Sequence, residues 1–398
     1  MRIGLVCFEH PELGSSGGVW AYTHTLAEGL QTIGNEVFIL VPSERIISKP
    51  ETSVPVRSMA TGSILRWTPF PFGRGPGIGL ANEILRSCRK LNIDVLEVPE
   101  CPGLASLMAT RKPSKLAVVV RVHGPNAIIR ANKRKGIRTS LRDGLLDVFV
   151  RRSLLAADAI SVPSAGVWDD LQSQFKIRRE DFSVLPCPVA PKFFRPGSVR
   201  TSQPLILCVG RLGWVKGDDV LIRAAPDVLE RFPDVTLRFA GESHDTESVV
   251  LRSRLPDPIA RRIEFLGQVN QNEIVALLEC ARVCAFPSRW ESFGIACAEA
   301  MAAERPVVVS DAPGFTALVS NGVTGLVVRR EDSEALANAI CRILDSEDLR
   351  QRLAVAGRKH IQHLCDQAAV ARKAMEIYSI ALKRVRSTAQ PHKADDAE

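Results

Sequence analysis

No stretch of 18 uninterrupted apolar residues occurs in the sequence, so it contains no obvious membrane-spanning helix. No Cys-x-x-Cys pair occurs either, and the usual ligand spacing of a structural zinc site is therefore missing. The opening residues, MRIGLVCFEH, lack the long apolar stretch and cleavage site of a secretory signal and read instead as a strand. The phosphate-binding pattern GxxxxGK[ST] is absent. Charge is not in excess: a charged fraction of 24% is ordinary for a globular protein and excludes wholesale disorder.

What is present is a chain of 398 residues, 45% of them hydrophobic, which is enough for two or three domains with cores of their own. Its ten cysteines lie mostly inside apolar runs, as Cys7, Cys208 and Cys284 do. In a chain this large they read as free thiols, which suits a reducing cytoplasm. The formal charge of +8 leaves three kinds of partner open: nucleic acid, an acidic membrane face, or an anionic small molecule.

Short apolar runs alternate with helical periodicity. Arg2–Phe8 has the composition of a buried parallel strand. After the loop HPELGSSGG, apolar residues at Val19, Tyr22, Leu26, Leu30 and Ile33 mark one face of a helix that Gly34 ends. Strands are expected at Glu36–Val41, Val95–Val98, Leu116–Val122, Ala159–Val162 and Phe182–Leu185. The segment Pro186 to Pro204 holds five prolines and reads as a linker. Beyond it, strands are expected at Leu205–Val209, Thr236–Ala240, Ile263–Leu266, Val283–Phe286, Val307–Ser310 and Leu326–Val328, and Asn270 with Glu273 forms a candidate capping box. The pattern predicts an α/β protein with parallel sheets covered by helices. Residues 1–190 are expected to form a first Rossmann-like domain, 186–204 a linker and 205–365 a second such domain. Residues 366–386 are a C-terminal helix that can pack back on the first domain, and 387–398 a polar, disordered tail. Two doubly wound domains facing each other would leave a ligand crevice between the carboxyl ends of their strands.

Two clusters in the second half carry chemistry. The strand Leu205–Val209 runs into GRLGWVKG, where glycines admit a close ligand and Arg211 and Lys216 place two cations beside a helix start; a diphosphate suits this, and a solvated surface loop is the plain alternative. The second cluster is PSRWESFGIACAEAMA, Pro287 to Ala302, where a turn at Ser292–Gly294 opens a helix near Ile295. The free N–H groups of such a helix start suit an anion. Glu291 and Glu299, eight positions apart, suit sugar diols, since each carboxylate accepts hydrogen bonds in pairs. Paired acids also fit a hydrolase, and either one alone fits a solvated helix face.

Taken in order, GRLGWVKG, FLGQVNQNEI, PSRWESFGIACAEAMA, PVVVSDAPG and NGVTGLVV resemble the retaining glycosyltransferases of family 4, the group 1 glycosyltransferases, over roughly Leu205 to Ile340. The most specific element is Glu-x7-Glu, filled by Glu291 and Glu299 around Phe293-Gly294; Gly17-Gly18 and His123-Gly124 match the family's first half in outline. The resemblance implies a GT-B fold of two facing Rossmann-like domains with an interdomain cleft, and transfer of a sugar from a nucleotide-sugar donor to a glycan, lipid-linked or small-molecule acceptor with retention, in pathways such as polysaccharide biosynthesis. It implies that Arg211 and Lys216 bind the donor diphosphate and that Glu291 contacts the transferred sugar. Glu299 would hold the ribose diol, and the backbone of Phe293, Gly294 and Ile295 would meet phosphate or sugar oxygens. Gly17 and Gly18 would let the first domain close over the diphosphate, and His123 would sit beside the donor sugar near the acceptor. With two cations and a helix terminus at the diphosphate, neither a metal nor another cofactor is expected. The chain departs from the family pattern in PCPVAPKFF, in Ala317, where an acid is usual, and in Glu304, where a glycine often ends the helix and a different turn is therefore expected.

Between Arg130 and Arg142 lie six cations, Arg130, Lys133, Arg134, Lys135, Arg138 and Arg142, with no acid. Following the His123-Gly124-Pro125 turn, this segment is expected on the acceptor side. It fits an anionic or membrane-bound acceptor, or a solvated loop. Nucleic acid is not expected, because interleaved aromatics are missing. The expected location is therefore cytoplasmic, with peripheral contact at an anionic inner membrane face. The match of Gly14-x-Ser16-x-Gly18 to a hydrolase elbow is discounted because HPEL separates it from the strand. The glycines of Phe72–Gly79 read as a mobile loop, and His360, His363 and Cys365 as a partly exposed helix face. Two rivals remain: a nucleotide-sugar epimerase of similar fold, and a non-catalytic nucleotide-sugar or nucleic-acid binding protein.

Overall fold

Why these residues fold as they do is visible first in the strands: runs such as Val118-Val119-Val120 and Val307-Val308-Val309 are apolar on both faces and are buried on both. The computed structural model describes residues 1–13, 17–43, 54–60, 76–124, 141–177, 181–194, 204–242 and 247–389. Among them the chain divides into two units, residues 1–185 together with 367–389, and residues 186–366.

The first unit follows the order β1 (Arg2–Val6), α1 (Gly18–Thr32), β2 (Glu36–Ser43), β3 (Val56–Ala60), α2 (Pro76–Leu91), β4 (Val95–Pro99), α3 (Leu104–Met108), β5 (Ala117–Arg121), α4 (Leu141–Ala156), β6 (Ala159–Val162), α5 (Ala165–Phe175) and β7 (Ser183–Val184). Its sheet has the order β3-β2-β1-β4-β5-β6-β7, with every pairing parallel. Ile3 sits between Val37 of β2 and Val95 of β4, so strand order reverses at β1 and β4.

The second unit runs β8 (Leu205–Val209), α6 (Asp218–Arg231), β9 (Thr236–Ala240), α7 (Glu247–Ser253), α8 (Asp257–Ala260), β10 (Ile263–Phe265), α9 (Gln271–Cys280), β11 (Ala281–Phe286), α10 (Ile295–Ala302), β12 (Val307–Ser310), β13 (Leu326–Val328), α11 (Ser333–Asp345) and α12 (Glu347–Leu364). The sheet order is β10-β9-β8-β11-β12-β13, again all parallel. Leu207 lies between Arg238 of β9 and Cys284 of β11, which places this sheet's reversal at β8 and β11. In open parallel sheets such a reversal opens a crevice at the strands' carboxyl ends. The Asn270 side chain accepts from the N–H groups of Asn272 and Glu273 while Glu273 accepts from Asn270 N at 2.6 Å, so the capping box forms.

The last helix, α13 (Gln367–Ala389), belongs to the first unit and packs along α1. At the contact a Cβ on Gly29 would come within 2.7 Å of the Gln367 carbonyl oxygen, so only glycine allows this approach. Deeper in, Tyr378 of α13 and Tyr22 of α1, the two tyrosines of the chain, donate to opposite oxygens of the buried Glu97 carboxylate on β4, at 2.8 and 2.9 Å.

Several expectations need correction. Pro186 to Phe194, the described part of the segment expected as a linker, is packed: Cys187, Val189 and Phe193 are buried, Val189 N donates to the Cys365 carbonyl, and prolines supply extended backbone with fewer N–H groups to satisfy. Strand β3 is not signalled in the sequence because it is a short edge strand whose apolar residues are interrupted by the polar pair Arg57-Ser58, with no alternation. Pro76 to Gly79 open α2 rather than belonging to a loop, proline being well suited to a first helical turn. Helix α13 runs to Ala389, past Arg386, with the Ser387 and Thr388 hydroxyls bonded back to Arg384 O. Glu304 adopts φ 59°, so the left-handed turn usual for glycine is kept with a glutamate in it. Such a residue costs about 1 kcal/mol; Arg358, which lies 3.8 Å from the Glu304 carboxylate and bonds Ala302 O, supports the turn.

Candidate active site

In the second unit the two sequence clusters meet. The loop after β8 and the turn after β11 lie at adjacent carboxyl ends, and the Lys216 ammonium donates to Glu291 Oε2 at 2.6 Å. Backbone presses on backbone here. Gly217 has φ 69°, and a Cβ on it would lie 2.1 Å from Pro287 O. Gly294, the N-cap of α10, has φ 91°, and a Cβ there would strike the Phe315 ring at 2.6 Å. These two glycines are required for close approach and for left-handed backbone at once.

The Phe293 side chain is buried in the core, and the N–H groups of Phe293, Gly294 and Ile295 make no hydrogen bond among the described residues. Three consecutive N–H groups without a partner at the start of a helix are the kind of donors that suit an anion. Arg211 is exposed, and its guanidinium makes no hydrogen bond or ion pair among the described residues. Glu299 projects from α10 with 7% exposure and no side-chain hydrogen bond among the described residues. Burial pushes its carboxyl up from 4.5 to about 8, with Lys192 acting weakly the other way.

The sequence reading missed what braces this arrangement. Asp218 accepts Gly213 N at 2.6 Å and the Ser248 hydroxyl, and so fixes the glycine loop. Arg289 is 6% exposed and reaches Asp219, Glu331 and the Trp214 carbonyl. Its hydrogen bonds hold the Glu331 carboxyl below the usual range. The doublet Asp218-Asp219 directly after Gly217 was the available signal, since two acids at a helix start beside two cations call for partners. Ala317 lies exposed in a short helical turn and bears no acid.

In the first unit, His123 follows β5, and α1 lies beside it: the Tyr22 and His123 rings meet edge-on at 5.1 Å. The turn is held by Glu100, whose two oxygens accept His123 N and Gly124 N, each at 3.0 Å. Burial, with Arg121 nearby, pushes the imidazole down to about 3, so His123 is neutral at physiological pH. Gly17 differs from expectation. Its N–H and that of Trp20 are taken by Glu9 Oε2, each at 3.0 Å, so a carboxylate of the chain itself already caps α1. An anion approaching there would have to displace Glu9; Gly18 is the first helical residue. Arg130, Lys133, Arg134 and Lys135, like Ser16, lie outside the described residues. His360 is partly exposed, His363 exposed and Cys365 buried; among the described residues no group of three or more His, Cys, Asp or Glu is placed to hold a metal ion.

Two all-parallel Rossmann-like units, the second with Lys216 and Glu291 in contact at its topological switch point, fit the class of GT-B glycosyltransferases. The sequence matches Glycosyltransferase Family 4 over residues 16–193 and Glycosyl transferases group 1 over residues 190–360. It is 30% identical to a D-inositol 3-phosphate glycosyltransferase of Corynebacterium diphtheriae, covering 95% of this chain and 94% of the relative. It is 28% identical to a phosphatidyl-myo-inositol mannosyltransferase of Mycobacterium leprae over 95% and 96% of the two chains. The fold is shared with the solved sucrose-phosphate synthase of Thermosynechococcus elongatus, at 22% identity and a TM-score of 0.79 over 98% of this chain and 100% of that one. The chain belongs to glycosyltransferase family 4 and is a glycosyltransferase.

Proposed function

We propose that this enzyme transfers a sugar with retention from a nucleoside-diphosphate sugar to an anionic or lipid-linked acceptor, without a metal ion. The observation that carries the reading is the meeting of Lys216 with Glu291 beside three open N–H groups at Phe293, Gly294 and Ile295. The chemical problem is departure of a diphosphate from an anomeric carbon. Lys216, Arg211 and the open donors receive the charge that develops on the leaving oxygen, and the Lys216–Glu291 pair loosens as the phosphate takes over the ammonium. Charge-assisted hydrogen bonds of about 1.5–3 kcal/mol each, two of them, with a helix-terminus contribution of about 0.5–1 kcal/mol, supply roughly 4–7 kcal/mol if expressed in the transition state. That corresponds to about 10³–10⁵ in rate. Glu291 binds the transferred sugar, and Glu299, buried and without a side-chain hydrogen bond among the described residues, takes the ribose diol. The departing phosphate oxygen accepts the proton of the acceptor hydroxyl as that hydroxyl attacks from the same face. His123, neutral, serves as a hydrogen-bonding group toward the sugar rather than as a charge.

The acceptor reading draws support from the cations of Arg130, Lys133, Arg134 and Lys135 and from the helix that follows them. On α4, Leu145, Val148 and Leu155 are exposed on the same stretch as exposed Arg151 and Arg152, an apolar and cationic face suited to an anionic lipid surface. No described helix is long and apolar enough to cross a membrane.

The test is a thermal-shift screen of UDP-, GDP- and ADP-sugars, in which a ligand at 100 times its Kd stabilises by about 2.7 kcal/mol. Transfer assays with the best donor follow, run with EDTA, and the product anomer is read by NMR. The expected result is an EDTA-resistant product with the donor's anomeric configuration. Conversion of the donor to an epimer without any acceptor, or activity that returns only with Mg²⁺ or Mn²⁺, would overturn the reading.

A further inference from the structure

Arg289 lies two residues before Glu291, and its side chain reaches the loop that carries Lys216. Its five N–H donors are all engaged. Nη1 donates to Trp214 O and Asp219 Oδ1, both at 2.6 Å; Nη2 donates to Asp219 Oδ2 and Glu331 Oε2, both at 2.7 Å; Nε donates to Glu331 Oε1. Its guanidinium lies 4.8 Å from the Trp214 ring centroid, and its backbone N–H donates to Val215 O at 2.8 Å. One side chain thus ties together the 3-10 turn Trp214–Lys216, the first turn of α6 and the segment after β13, and it does so from the turn that carries Glu291 two residues on.

The consequence for Lys216 is direct. Trp214 and Val215 immediately precede it and are gripped by Arg289 through a carbonyl each, so the route from Arg289 to the ammonium passes through two fixed peptide units. On the other side, Glu291 is separated from Arg289 only by Trp290. We infer that Arg289 is a positioning residue that sets the separation of Lys216 from Glu291 and holds Lys216 where the leaving diphosphate oxygen arrives. The inference rests on the assignment of Lys216 to the diphosphate. It explains why the residue is an arginine: a planar fork with five donors bridges two carboxylates and a carbonyl in fixed directions, whereas a lysine ammonium in the same place offers three donors from one atom.

The test is a double-mutant cycle on the full-length protein with donor and acceptor at saturation. Arg289→Lys keeps the charge and the apolar stem. If it misplaces Lys216, kcat falls about tenfold or more while the donor KM changes less than about threefold, the pattern of an interaction made mainly in the transition state. In a Lys216→Ala background the same Arg289→Lys change then has almost no further effect, because there is no ammonium left to position. Asp219→Asn, which retains the side-chain shape but weakens the bidentate pair, should show the same masking by Lys216→Ala and serves as the second variant should Arg289→Lys fold poorly. Equal fractional losses in both backgrounds would overturn the positioning role and leave a purely structural one. If Lys216→Ala were itself silent, the assignment of Lys216 to the diphosphate would fall first, and the positioning role with it.

Discussion

Lys216→Ala tests the diphosphate assignment where its magnitude can be worked out. The ammonium is one-third exposed and lies 2.6 Å from a Glu291 carboxylate that is 12% exposed. Replacing it removes one charge-assisted hydrogen bond to the leaving group, about 1.5–3 kcal/mol, which is about 10- to 150-fold in turnover. It also leaves the Glu291 carboxylate without its cation beside a departing dianion, which pushes the loss to the upper end, on the order of 10²-fold. Because Lys216 does not belong to the buried core, the melting temperature should hold within a few degrees. The assay is nucleoside diphosphate release under saturating donor and acceptor, with circular dichroism melting run in parallel. Arg211→Ala should move in the same direction, since its exposed guanidinium is uncommitted among the described residues. Turnover within about twofold of the parent in both folded variants would refute the argument that this cation pair stabilises the leaving group.

Three further outcomes are expected. Glu299→Gln should weaken binding of free nucleoside diphosphate and of the whole donor alike, whereas Glu291→Gln should spare the nucleoside diphosphate and impair the donor; calorimetric titrations with equal losses in all four pairings would defeat that division of roles. Stability should also report on Glu299: with its carboxyl raised from 4.5 to about 8, the folded state holds a proton that the unfolded state has released, so the protein loses stability as pH rises through that window. The slope is at most about 1.4 kcal/mol per pH unit, Glu299→Gln should flatten it, and melting curves from pH 5 to 8 that run parallel for parent and variant would count against the raised value. Replacing Lys133, Arg134 and Lys135 together with Gln should raise the acceptor KM or release the enzyme from anionic vesicles, at unchanged donor Kd and with the effect fading as salt rises, because each cation contributes about 1 kcal/mol near such a surface; sedimentation and kinetics indistinguishable from the parent would return the segment to a solvated loop.

Much of this protein is written locally. Apolar runs such as Leu205–Val209 and Val307–Ser310 read as buried strands, and 3.6-residue periodicity marks helices between them, so the doubly wound class follows from their alternation. Gly217, Gly294, Lys216, Glu291 and Glu299 could be picked out for the same reason: backbone freedom, cationic charge and carboxylate chemistry are properties of single residues and their nearest neighbours. What only the tertiary structure decided is which distant residues meet. That Arg289 would bridge Asp219, seventy positions away, and Glu331, forty-two away, is not encoded in any local spacing. Nor is the use of Glu9 to cap α1, or the convergence of Tyr22 and Tyr378 on Glu97 across 75 and 281 positions. These contacts depend on strand order, because the order of β1, β4 and β5 in one sheet, and of β8 and β11 in the other, brings carboxyl ends side by side. A buried charge is tolerated only where that order delivers its partner, and so the chain's local pattern fixed the elements while the assembled sheets chose the pairs.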